Sequence, residues 1–141
     1  MTTISEAGNE IAEDFMMIED PLDKFGFLID LGKNLEPLDE SLKTSDRLVK
    51  GCQASVWLVS ALRDGKVYFS ADADADYARG LVAMMIRVLS GHTPDEILQA
   101  DISFLEKIGL SKMLSMKRAG GLESMIRQMK LDALALKAKT V

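Results

Sequence analysis

The chain has 141 residues and a net charge of −5, with one cysteine and one histidine. Its length fits one domain, and 48% hydrophobic with 28% charged residues is globular usage, not that of a disordered chain. One Cys and one His cannot build a Cys/His zinc site, a four-cysteine iron–sulfur site or an internal disulfide, and the acidic balance disfavours nucleic acid as a ligand.

The first fifteen residues hold no basic stretch followed by an apolar run, so no secretory signal is expected. The apolar runs fall far short of the roughly 20 residues that span a bilayer. A lone cysteine suits a reducing compartment. These features lead us to expect a soluble cytoplasmic protein without a membrane partner. The charge is uneven: residues 1–46 hold twelve acids and three bases, and residues 107–141 hold two acids and eight bases. Either a basic last helix lies beside acidic first helices, or a charged docking face is left for a protein partner.

A weak helix is expected from Glu10 to Ile18. A stronger one starts at Asp20-Pro21, where Asp20 caps and Pro21 takes the first helical position. Leu22, Phe25, Leu28 and Ile29 share one face of it, and Gly32 is a plausible stop. Residues 33–45 read as a loop containing Pro37. Leu48 and Val49 suit a short strand. Ser55–Leu62 and Val67–Ser70 flank Arg63-Asp64-Gly65-Lys66, a hairpin with an Asp-Gly turn. The near-continuous apolar first arm predicts burial on both sheet faces. A helix follows from about Asp76 to Ser90, ended by Gly91. Thr93-Pro94-Asp95-Glu96 has the capping-box pattern, and Ser103-Phe104-Leu105-Glu106 repeats it before Gly109. The last helix runs from about Gly120 toward Lys137 on a stripe of Leu122, Met125, Ile126, Met129 and Ala133. The fold class is therefore α+β: a small antiparallel sheet of about three strands covered by N-terminal and C-terminal helices. One domain spans residues 1–141, with 1–9 and 138–141 expected to be flexible.

Cys52 is the only strong nucleophile candidate. It follows Gly51, which permits backbone shapes closed to other residues. It is either a reactive thiol, with Arg47 or Lys50 favouring the thiolate, or a buried inert one. His92, between Gly91 and Thr93, is expected to be an exposed loop residue rather than a base for Cys52. Asp72-x-Asp74-x-Asp76 opens like a calcium loop. Tyr77 stands where that loop needs glycine and Ala83 where it needs glutamate, so one or two of the aspartates are expected to cap the next helix.

The segment Val49-Lys50-Gly51-Cys52-Gln53-Ala54-Ser55-Val56-Trp57-Leu58 resembles the signature of the SufE family of sulfur-acceptor proteins. Lys24-Phe25-Gly26-Phe27-Leu28-Ile29-Asp30-Leu31-Gly32 resembles the family's first core helix. Ala71–Ala75 with Arg79-Gly80-Leu81, and Gly109-Leu110 with Arg118–Met125, resemble its later blocks in the same order, so the likeness covers residues 15–135. Glu36, Ala54 and Met116 depart from the usual proline, serine and proline. The resemblance implies that Cys52 accepts sulfur from a SufS-like or CsdA-like cysteine desulfurase and passes it toward an iron–sulfur scaffold. Gly51, Gln53, Asp74 and Arg118 would support it. It implies no cofactor of the chain's own, since pyridoxal phosphate belongs to the desulfurase, and a monomer or weak homodimer that is not a free-standing enzyme. Two rivals stay open: an allosteric desulfurase-binding module and a thiol redox sensor.

Overall fold

Six helices and one hairpin make up the chain in a computed structural model that describes residues 2–139. Helix α1 spans Ile4–Met16 behind a complete capping box. Thr3 Oγ1 accepts from Glu6 N at 3.1 Å, and Glu6 Oε1 accepts from Thr3 N at 3.4 Å. Residues 4–9, expected to be flexible, are thus the first turns of a packed helix. The sequence hides it because its buried stripe is partly built of small residues, Ala7, Gly8 and Ala12 among Ile4, Ile11 and Phe15. Gly8 is needed there, because the Phe104 ring lies where its Cβ would be. The expected flexible tail falls on Ala138, the last residue of α6, on Lys139, and on residues 140–141, which lie outside the described residues.

Helix α2, Pro21–Lys33, is capped as expected, with Leu22 N donating to Asp20 Oδ1 at 2.7 Å. Two details differ. Leu22 is 81% exposed rather than on the core face, and Gly32 does not stop the helix. Gly32 is instead where α3 crosses: a Cβ there would stand 2.6 Å from Gly80 N. Helix α3, Asp76–Leu89, buries Leu81, Met84, Met85, Val88 and Leu89 as its period predicts.

Between them lies the hairpin of β1, Val56–Arg63, and β2, Lys66–Ala73, paired antiparallel from Val56↔Ala73 to Arg63↔Lys66. Asp64 and Gly65 both take positive φ, which this tight turn requires. The third strand reduces to a single bridge between Leu48 and Trp57, so the sheet has two strands. Only one face is core, carrying Val56, Leu58, Val67, Phe69 and Ala71. On the other face Trp57 and Val59 are half-buried. Lys43, in the segment before β1, stands 5.6 Å over the Trp57 ring and 3.2 Å from Asp72 Oδ2. Arg79 Nε lies 3.2 Å from Asp72 Oδ1. Burial alone would raise the Asp72 carboxyl, but the Ala73 N–H, Lys43 and Arg79 outweigh it and hold it below the usual carboxylate range.

Helix α4, Pro94–Leu98, has the expected Thr93 box. Helix α5, Phe104–Ile108, has Ser103 at its N-cap position, but the Ser103 side chain makes no cap bond; Asp101 Oδ1 accepts from Ser103 N at 2.9 Å. Gly109 closes α5 in the left-handed region. Helix α6, Met116–Ala138, starts one turn before Gly120, because Ser115 caps it through Arg118 N. It packs chiefly on α4, α3 and β1 and does not lie along α1 and α2. No helix among the described residues is long and apolar enough to cross a membrane.

Candidate functional site

Cys52 sits on the short loop between the Leu48 bridge and β1, and it is the chain's one cysteine. Both ends of the loop are tied down. Val49 N donates to Val56 O at 2.8 Å on one side. On the other, Ser55 N donates to Asp74 Oδ1 at 2.9 Å while Asp74 N donates to Ser55 O at 3.0 Å. Asp74 therefore does not cap α3, as the sequence suggested; it clamps the base of the cysteine loop. The α3 N-cap is Ala75, which makes no side-chain cap bond, and Asp76 lies in the helix's first turn.

Gly51 holds φ at +95°, and a Cβ there would collide with Ser124 Oγ on α6. That conformation turns Cys52 inward. Its half-buried Sγ donates to Gly121 O at 3.4 Å. A Cβ at Gly121 would stand 3.6 Å from the sulfur, in ordinary contact, so α6 packs directly against the thiol. Burial pushes the Cys52 thiol above its ordinary range. The folded chain then holds that proton more tightly than the unfolded one. This contribution to stability is present in full at neutral pH and declines as pH rises through the alkaline range.

The cations expected to favour the thiolate do not do so. Arg47 spends its guanidinium on Leu42 O and Thr44 Oγ1, and Lys50 is exposed. Arg118 is exposed with its guanidinium 4.7 Å over the Tyr77 ring, so it joins the first turns of α6 and α3 instead of touching the sulfur. Gln53 is exposed on the loop. His92 is not an exposed loop residue. It is 6% exposed, because Gly91 turns the chain so that His92 O accepts from Val67 N at 2.8 Å. Its Nδ1 lies 3.6 Å from Glu96 Oε2. Among the described residues no group of three or more His, Cys, Asp or Glu side chains is placed to hold a metal ion.

The arrangement thus gathers Gly51, Cys52 and Asp74 with two residues that had no assigned role, Gly121 and Ser124. In the sequence Gly121 reads as part of a helix start, and nothing local marks Ser124.

Removing the clamp tests its part. Asp74→Ala frees Ser55 N and is expected to speed iodoacetamide labelling of Cys52 roughly tenfold, the worth of one lost hydrogen bond. Asp74→Asn keeps an acceptor oxygen and should label near the native rate.

The SufE family, described as an Fe-S metabolism associated domain, matches residues 9–133. An uncharacterised SufE-like protein of Rhizobium meliloti is 38% identical over 130 residues, covering 89% of this chain and 93% of the relative. One of Synechocystis is 37% identical over 126 residues, covering 89% and 79%. The Arabidopsis thaliana SufE-like protein 1, chloroplastic/mitochondrial, is 36% identical over 131 residues, which cover 92% of this chain and 35% of that longer protein. In fold, the chain is similar to the solution structure of a hypothetical protein from Thermus thermophilus, with a TM-score of 0.75, 19% identity, and coverage of 96% and 97%. With the family matched across most of the chain, and relatives above one-third identity over most of its length, this protein belongs to the SufE family.

Proposed function

We propose that this protein is a sulfur acceptor that relieves a cysteine desulfurase of its persulfide and passes the sulfur toward an iron–sulfur scaffold in the cytoplasm. Cys52 is the carrier. Its thiol gives its proton to solvent, and the thiolate attacks the outer sulfur of the desulfurase persulfide. A new S–S bond forms at Cys52 as the old one breaks, and the desulfurase thiolate leaves. No oxidant is needed, because one persulfide replaces another. Pyridoxal phosphate stays with the desulfurase and would generate its persulfide from cysteine.

What supports the reading is the loop itself: one half-buried cysteine held by a carbonyl and clamped at its base. An accepting Gly121 carbonyl and partial burial favour the neutral thiol, so the resting cysteine is a poor nucleophile. The loop must leave Gly121 to react, which ties reactivity to docking of the partner and spares the thiol from casual oxidation. Loading is tested by mixing the reduced protein with a cysteine desulfurase and cysteine, then measuring intact mass without reductant. One added sulfur atom, removed by reductant, is expected; no addition with unchanged desulfurase turnover, using a desulfurase from the same organism, overturns the reading. In the free protein, the pH profile for alkylation of Cys52 should have its midpoint above that of an ordinary thiol, and partner docking should raise the rate at neutral pH.

A further inference from the structure

The hydrogen bond that holds the resting Cys52 goes to a carbonyl. Gly121 O accepts from Sγ at 3.4 Å, and a carbonyl oxygen has no hydrogen to give. That suits a thiol and fails a persulfide. A persulfide is a stronger acid than its parent thiol, so a loaded cysteine carries negative charge on its outer sulfur at neutral pH. The charged form has no proton for Gly121 O, and the carbonyl dipole repels it. The carried sulfur therefore needs a donor that the resting thiol does not use.

The nearby cations are committed elsewhere. Arg47 donates to Leu42 O and Thr44 Oγ1, and Arg118 lies over the Tyr77 ring. The first turn of α6 is partly spent as well, since Ser115 accepts from Arg118 N through its hydroxyl and from Ala119 N through its carbonyl. Ser124 is different. It follows Gly121 by three positions, so the two share one face of α6. Its Oγ fills the space that a side chain at residue 51 would enter, and its Cβ is 3.3 Å from that Cβ position. The hydroxyl thus lies against the backbone of the residue just before the cysteine. It is half-buried and has no hydrogen-bond partner among the described residues. A hydroxyl rotates and can donate wherever an acceptor arrives.

We infer that Ser124 holds the carried sulfur: its hydroxyl donates to the outer, charged sulfur of a Cys52 persulfide. The inference rests on the sulfur-acceptor reading and adds a residue to it. The empty and loaded loops then use two groups one turn apart on α6. The thiol gives its hydrogen to Gly121 O, and the persulfide takes one from Ser124 Oγ. The outer sulfur stands one S–S bond, about 2 Å, beyond Sγ. That covers a good part of the rise of about 4.5 Å along the helix from residue 121 to residue 124. The consequence is retention. A donor to the charged form keeps the persulfide deprotonated, and a nucleophile attacks the outer sulfur readily only when it is protonated. Ser124 therefore slows loss of the sulfur to small nucleophiles while the loop stays docked on α6.

Cyanide reads this directly. It attacks the outer sulfur and leaves as thiocyanate, and the electrons of the broken S–S bond return Cys52 as a thiolate. Native protein and Ser124→Ala are loaded with inorganic polysulfide, which needs no desulfurase, then freed of reagent and checked by intact mass. Alanine is close in size and a better helix former, and thermal melts confirm the fold. The variant should release thiocyanate roughly tenfold faster at neutral pH, the worth of one hydrogen bond to a charged group. Release falls as pH rises and the persulfide loses its proton, and that fall should move to higher pH in the variant. Alkylation of the empty Cys52 should hardly change, because the resting thiol uses Gly121 O. Equal release from the two proteins overturns the inference and leaves the carrier reading standing. So does an empty thiol whose alkylation quickens as much as the release, since Ser124 would then only pack the loop. Native protein that gains sulfur from neither polysulfide nor the desulfurase overturns both readings.

Discussion

Cys52→Ser is expected to keep the fold and abolish sulfur acceptance. Serine is close in size, and its hydroxyl can donate to Gly121 O as the thiol does. A hydroxyl does not attack a persulfide sulfur, so no added sulfur should appear in the intact mass, and desulfurase stimulation should fall to the level without the protein. The result also separates the rival readings. An allosteric activator would keep most of its stimulation in the serine variant. A redox sensor would show a stable sulfenic acid or mixed disulfide on native Cys52 and no response to the desulfurase. A serine variant that still gains sulfur would remove Cys52 from the carrier role.

Gly80→Val is expected to produce the largest loss of stability of any substitution considered. A Cβ at Gly80 would fall onto the Leu28 carbonyl of α2, reaching its oxygen and standing 2.9 Å from its carbon. Backbone is the obstacle, not a side-chain tip, so no rotamer change relieves it. From the other side, Gly32 presses equally against Gly80 N. Two glycines thus set the spacing of α2 and α3, the pair that buries Leu28, Leu81 and Met85. Forcing them apart should cost about 3 kcal/mol, the upper part of the usual overpacking range. In a chain of this length that lowers the melting temperature by about 10 °C. Gly26 is the control, since nothing lies within 4 Å of its Cβ position. Gly26→Ala should raise stability by roughly 0.5–1 kcal/mol through better helix propensity and a less free unfolded chain. Urea melts of the two variants read both effects.

The hairpin, α3 and the Thr93 box were legible because each rests on neighbours in sequence: a turn dipeptide, a period, a capping pair. What was not legible rests on distant partners. Gly32 reads as a stop until α3 is seen crossing it. Asp74 reads as a cap until Ser55, nineteen residues earlier, is seen to occupy it. His92 reads as exposed until β2 is seen to take its carbonyl. The candidate site divides the same way. Cys52 and Gly51 stood out by type, whereas Gly121 and Ser124 meet the loop from a helix far along the chain. The cationic neighbours suggested by sequence, Arg47 and Arg118, are turned to other tasks.

The two ties at the ends of the cysteine loop have a consequence for motion. Val49 holds one end to β1 and Asp74 the other, so residues 50–54 can lift while the strand register stays fixed. Such a lift exposes little apolar surface, and its free energy should hardly respond to denaturant. Alkylation of Cys52 would then run at a rate flat in dilute urea, while exchange of the β1 amides quickens. The segment would keep its own clock, set by the bond from Cys52 Sγ to Gly121 O and independent of how stable the rest of the molecule is.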